Sequence, residues 1–173
     1  MIGLIQMYIG DGKGKTTATV GLSVRACGRG KRVIFSQFLK SGVTGEIEPL
    51  ERLGVKVIRS TKQFGFTHLM DEKTKIACKD EQEDIVKRIL DVMRVEKIDL
   101  LVLDEVLDAL NADMLSEKTL KSLVENKDEE LELVISGRNP PLWLLEKADY
   151  VSDVKKIKHP FDKGISARIG IES

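Results

Sequence analysis

The chain is poor in cysteine and in aromatic rings, carries no net charge and contains no long apolar run, and each absence narrows what it can be. Cys27 and Cys78 are too few for a disulfide framework and too far apart for a paired-thiol zinc or redox site; free thiols suit a reducing cytosol. With 28 basic and 28 acidic residues, no global field draws the chain to nucleic acid or to an anionic membrane, although local basic patches remain open to it. No apolar stretch approaches the roughly 18 residues of a membrane span. Met1 leads into the first apolar run with no signal segment, so a cytoplasmic protein is expected. Repeats, low-complexity tracts and composition shifts are absent too, which points to one domain over residues 1–173. What is present is 42% hydrophobic residues, enough for a sizeable core, and 32% charged residues, which hints at surface ion pairs of a thermophilic kind.

The sharpest feature is Tyr8 to Thr17, YIGDGKGKTT, which closes an apolar run and opens a helix-like segment, Lys15 to Cys27. Strand, glycine turn and helix are the setting in which a phosphate-binding loop makes physical sense. Gly10, Asp11, Gly12, Lys13, Gly14, Lys15, Thr16 and Thr17 are its candidate residues. Glycines let the backbone turn its N–H groups inward, and the helix start adds unpaired donors and a positive dipole end. Lys15 would reach the phosphates, and the Thr16 hydroxyl would meet a divalent cation. The usual pattern wants glycine at Ile9; here the first glycine comes one place later, at Gly10.

Further along, Ala18, Leu22 and Ala26 mark the first helix's sheet-facing stripe, and Arg32 to Phe38 reads as a second strand. Gln37, Lys40 and Glu46 follow at its carboxyl end, where open α/β sheets bind ligands; they are site candidates, set against the plainer reading of solvated loop residues. A short helix at Pro49 to Leu53 and a strand at Val55 to Ile58 precede STKQFGFTHLMD, a loop that gathers Phe64, Phe66 and His68 and so suits binding or anchorage. Asp71 to Lys97 reads as a scaffold helix. Ile98 to Asp104 is an apolar run expected of a strand buried on both faces. It ends in two carboxylates, Asp104 and Glu105, placed to hold a nucleotide's Mg²⁺ directly or through water. A helix at Ser116 to Asn126, a strand at Glu130 to Ser136 and the turn SGRNPP follow, leaving Arg138 at a strand end within reach of a phosphate or carboxylate. A helix at Leu142 to Lys147 and a strand at Tyr150 to Val154 lead to a tail that Ile165, Ile169 and Ile171 are expected to bury over one end of the sheet. Alternating strands and helices predict an α/β three-layer sandwich around a mostly parallel sheet.

In this order, GDGKGKTTA, RACGRGKRV, QFLKSG, GFTH, LDE, SGRNPP, ADYVSDV and KHPFDKGISARIGIE resemble the P-loop-type ATP:corrinoid adenosyltransferases, nearly end to end. The resemblance implies a RecA-like nucleotide-binding fold and, usually, a homodimer. The implied reaction moves the 5′-deoxyadenosyl group of ATP to a cob(I)alamin or cobinamide substrate, in adenosylcobalamin synthesis or salvage, and releases triphosphate. It implies a reversed nucleotide, with leaving-group charge borne by Lys15, Thr16, Arg25 and Mg²⁺ or Mn²⁺, the metal also held by Glu105. Phe66 and His68 would meet the corrinoid, and a reductase or flavodoxin-like protein would supply the electron. Two departures stand out: many relatives carry an N-terminal arm ahead of the first strand, and they typically read GFTW where this chain reads GFTH. Two other readings are a P-loop ATPase or small-molecule kinase, with Asp104 or Glu105 as base, and a non-catalytic corrinoid carrier.

Overall fold

Runs of β-branched and aliphatic residues with both faces apolar can hide only inside a sheet covered by helices on either side. The computed structural model of the chain describes every residue except Met1, Ser41, Phe66 and Ser173, and the backbone but not the side chain of His68. Among the described residues the strands are β1 (Ile5–Ile9), β2 (Val33–Gln37), β3 (Lys56–Arg59), β4 (Leu100–Asp104), β5 (Glu132–Gly137) and β6 (Tyr150–Asp153). They form one sheet in the order β3-β2-β4-β5-β1-β6, and every neighbouring pair is parallel. The fold is thus an α/β sandwich of the RecA-like P-loop kind.

Alternate strand residues feed two cores. On one face Val33, Phe35, Leu100, Val102 and Val134 pack with Leu50 of α2 (Ile47–Arg52) and with Leu22 and Ala26 of α1 (Lys15–Cys27). The other face is larger. There Met7, Ile34, Leu101, Leu103, Leu133 and Ile135 meet α3 (Glu72–Val95), α4 (Val106–Asn111), α5 (Glu117–Glu125) and α6 (Leu142–Lys147). The long α3 is opened by Asp71, whose carboxylate accepts from the Thr74 N–H at 2.8 Å, and Ser116 caps α5 in the same way through Thr119. No helix among the described residues is long and apolar enough to cross a membrane.

Three features depart from the sequence pattern. The innermost residues of α1 are Thr19 and Ser23, each fully buried, with Leu22 and Ala26 beside them. Ser23 Oγ bonds back to the Thr19 carbonyl at 2.9 Å, which satisfies a buried hydroxyl within the helix itself. A further short helix, α4, follows β4 without a loop. And the tail does not bury its isoleucines: Ile165, Ile169 and Ile171 are 50%, 95% and 58% exposed. Its backbone bonds are local, from Ile165 N–H to Pro160 and from Ile171 and Glu172 N–H to Arg168. A segment that closes its own turns lays no continuous apolar face on the sheet.

Candidate active site

In a parallel sheet the carboxyl ends of adjacent strands lie side by side, and here β1, β4 and β5 deliver three polar segments to one edge. The loop from Gly10 to Gly14 joins β1 to α1, with Gly10 at φ 106° and Gly14 at φ 117°, values that favour glycine. Lys15 folds back over it: Nζ donates to the carbonyls of Gly10 at 2.7 Å and Gly12 at 2.9 Å. Burial lowers the Lys15 pKa, and Arg138 pushes it the same way, while Asp108, Glu105 and Asp11 oppose the shift. These groups therefore share one electrostatic neighbourhood.

The loop is braced from behind by the segment leaving β6. Gly12 N–H donates to the Val154 carbonyl at 2.7 Å, and the Asp11 carboxylate accepts from the Lys156 N–H at 3.0 Å, the chief cause of its lowered pKa. A Cβ on Gly12 would stand 2.6 Å from the Val154 carbonyl oxygen, so this glycine admits a crossing chain as well as a turn.

Asp104, fully buried at the end of β4, is the hub of the edge. Its carboxylate accepts from Thr16 Oγ1 at 3.0 Å, Thr19 Oγ1 at 3.3 Å, Ser136 Oγ at 2.7 Å and, more loosely, Gln37 Nε2 at 3.4 Å. Gln37 Nε2 also donates to Glu46 at 2.9 Å. The next residue, Glu105, has left-handed backbone (φ 60°), its N–H on Ser136 Oγ at 2.9 Å and its carboxylate 2.9 Å from Lys40 Nζ. Burial raises the Glu105 pKa against the pull of Lys40. For Lys40 burial works downward, but Glu105, Asp104 and Glu46 outweigh it and the pKa rises. From α4, Asp108 faces Arg138 Nη1 at 3.3 Å; burial raises its pKa while Arg138 and Lys15 counteract.

The phosphate loop, Asp104, Glu105 and Arg138 thus meet at one edge, and Gln37, Lys40 and Glu46 join them. Arg25 does not. It lies exposed in the last turn of α1, which at roughly 1.5 Å per residue carries it about 15 Å along the axis from Lys15. Lys13, on the loop, and Thr17, in the first turn of α1, are exposed. Phe66 lies outside the described residues, and so does the side chain of His68, whose backbone is in a turn of 3-10 helix, Thr67–Leu69. The sequence reading missed Asp108, whose one signal was its i, i+4 spacing from Asp104.

The oxygen donors suit a hard cation. Among the described residues no three His, Cys, Asp or Glu side chains converge as a protein-only metal site. A Mg²⁺-type ion shared between one or two protein oxygens and a polyphosphate fits this donor set better than a cage does.

Comparison with known sequences decides the family. The model of the family ATP:corrinoid adenosyltransferase BtuR/CobO/CobP matches residues 1–173. The corrinoid adenosyltransferase of Escherichia coli K12 is 32% identical over 98% of this chain and 85% of its own length. The chain belongs to the ATP:corrinoid adenosyltransferase family. Corrinoid adenosyltransferase CobA of Salmonella typhimurium is likewise 32% identical, over the same shares, and a corrinoid adenosyltransferase of Sinorhizobium is 34% identical over 98% of this chain and 80% of its own. This adenosyltransferase therefore acts on ATP and a corrinoid.

Proposed function

We propose that the protein transfers the 5′-deoxyadenosyl group of ATP to the cobalt of a reduced corrinoid, cob(I)alamin or cobinamide, and releases triphosphate. The observation that carries this reading is the joining of the phosphate loop to a buried carboxylate through Thr16 and Asp104. Lys15 leaves its loop carbonyls to meet the polyphosphate, and Arg138, already oriented by Asp108, adds a second cation. Thr16 and Glu105 would hold Mg²⁺ or Mn²⁺, and Asp104 fixes the Thr16 hydroxyl. The bound ion supplies charge neutralisation for the departing triphosphate. The electron pair of Co(I) forms the cobalt–carbon bond as the C5′–oxygen bond breaks, so the protein has no proton to move; its work is to hold, align and neutralise. Phe66 and His68 lie against the corrinoid in this reading. The enzyme works in the cytoplasm on cob(II)alamin reduced by a flavodoxin-like partner. It acts as a homodimer, which the exposed apolar side chains of β6 and the tail favour.

The deciding assay supplies ATP, Mg²⁺ and chemically reduced corrinoid and identifies the phosphorus product by ³¹P NMR. Triphosphate is expected. ADP or orthophosphate would make the protein a kinase or ATPase, and no turnover would make it a corrinoid carrier. For the corrinoid face, electron paramagnetic resonance of cob(II)alamin bound with ATP is expected to give a four-coordinate signal. Nitrogen splitting that persists with cobinamide and vanishes in His68→Ala would make His68 a cobalt ligand instead.

A further inference from the structure

Gln37 is fully buried, yet only one end of its amide is used. Its Nε2 donates to Glu46 and to Asp104, while its Oε1, also buried, has no hydrogen-bond partner among the described residues. A buried amide oxygen without a donor costs on the order of 1–3 kcal/mol, so a site that keeps one commonly has a donor to bring to it. The orientation is not free. Ionised carboxylates only accept, and with two of them beside Nε2 the amide nitrogen faces them and the oxygen faces elsewhere. Register reinforces this, because Gln37 on β2 pairs directly with Asp104 on β4, and the Asp104 oxygen it touches, Oδ2, is the one that holds Thr16.

We propose that Gln37 is a positioning residue of the metal site: its Oε1 accepts a hydrogen bond from a water molecule in the shell of the divalent cation, and Glu46 keeps the amide turned for that task. The inference rests on the cation assigned in the proposed function. Mg²⁺ gives up its waters reluctantly and retains several when it bridges a nucleotide to a protein. Such waters are strong donors and need acceptors. Outer-shell partners of this kind typically change metal affinity by about 10- to 100-fold when removed. Glu46 acts through Gln37, from the loop that follows β2.

The test is Mn²⁺ binding to the protein–ATP complex, followed by electron paramagnetic resonance of free Mn²⁺, in the wild type, Glu46→Ala, Gln37→Met and the double variant. The Mn²⁺ dissociation constant is expected to rise about tenfold in each single variant, and by no more in the double, since both remove one oriented acceptor. Metal-free ATP binding is expected to stay within about twofold of wild type. A merely structural Glu46 would lower the melting temperature and leave the Mn²⁺ constant unchanged; that result, or effects that multiply in the double variant, overturns the proposal. If Gln37→Met fails to fold, Glu46→Ala alone decides. Should the wild-type complex bind no Mn²⁺ at all, the metal assignment itself falls, an outcome distinct from unchanged variants on a metal-binding wild type.

Discussion

At the carboxyl end of β4 a carboxylate with no exposure is surrounded by hydroxyls from α1 and β5, whereas from β6 onward Tyr150, Val151, Ile157, Phe161 and Ile169 stand 46% to 95% exposed. The two regions flank the same loop, and each inverts the ordinary distribution of polar and apolar groups. Burying a charge costs several kcal/mol unless hydrogen bonds replace its water. Around Asp104 they are in place before any ligand arrives, from Thr16, Thr19 and Ser136. Apolar side chains in water have no equivalent repair within one chain; they are offset only when another surface covers them. The Asp104 carboxylate is therefore satisfied within one chain, and the apolar side chains from β6 onward are the surface that the proposed homodimer would cover.

The contrast breaks most visibly at the loop. Lys15→Ala is expected to reduce adenosylation by about a hundredfold or more, read by triphosphate release, with little change in melting temperature, since among the described residues the ammonium bonds only to its own loop. Asp104→Ala should cost about 2 kcal/mol of stability in chemical denaturation, because three hydroxyls and an amide lose their common acceptor. Glu105→Gln sharpens the point. It leaves stability within about 1 kcal/mol, since a part-exposed ion pair is lost together with a carboxylate that burial already disfavours. It should nevertheless raise the Mg²⁺ needed for half-maximal rate several-fold. Equal metal titration curves for the two proteins would remove Glu105 from the site. On the other side, Val151→Glu is expected to leave the monomer folded and convert a dimer to monomers in sedimentation; an unchanged assembly would put the interface elsewhere. The smallest effect belongs to Arg168→Ala. Arg168 holds the Glu172 pKa down to about 2, so this exposed pair stabilises fully above the ordinary carboxylate range and loses its contribution progressively as pH falls from that range through about 2. At neutral pH the variant's melting temperature is expected within about one degree of wild type.

Much of this was legible beforehand. Glycines between an apolar run and a helix are a local signal, and so is an apolar run ending in two carboxylates; both announced the loop and the end of β4. Gln37, Lys40 and Glu46 were harder, because a strand-end residue belongs to the site only if its strand neighbours β4, and strand order is not written in any short stretch. Which of two adjacent carboxylates turns inward depends on register and on the left-handed backbone at Glu105, again beyond local pattern. Asp108 went unseen since VLDALN is short and directly continues β4. The tail was misread for the opposite reason: isoleucines suggest burial, but with closed local turns they had no strand to follow.

The position of β1 between β5 and β6 has a consequence for how the molecule is made. The phosphate loop comes off the ribosome well before what fixes it: Asp149 holds Ile5 from 144 positions away, and Lys156 holds Asp11 from 145. Contacts of that span form slowly, since a long loop must close before they contribute. A nascent chain that has made β1 through β4 possesses the motif without the cradle. The braced geometry of the loop is therefore expected to form late, once β6 has docked beside β1.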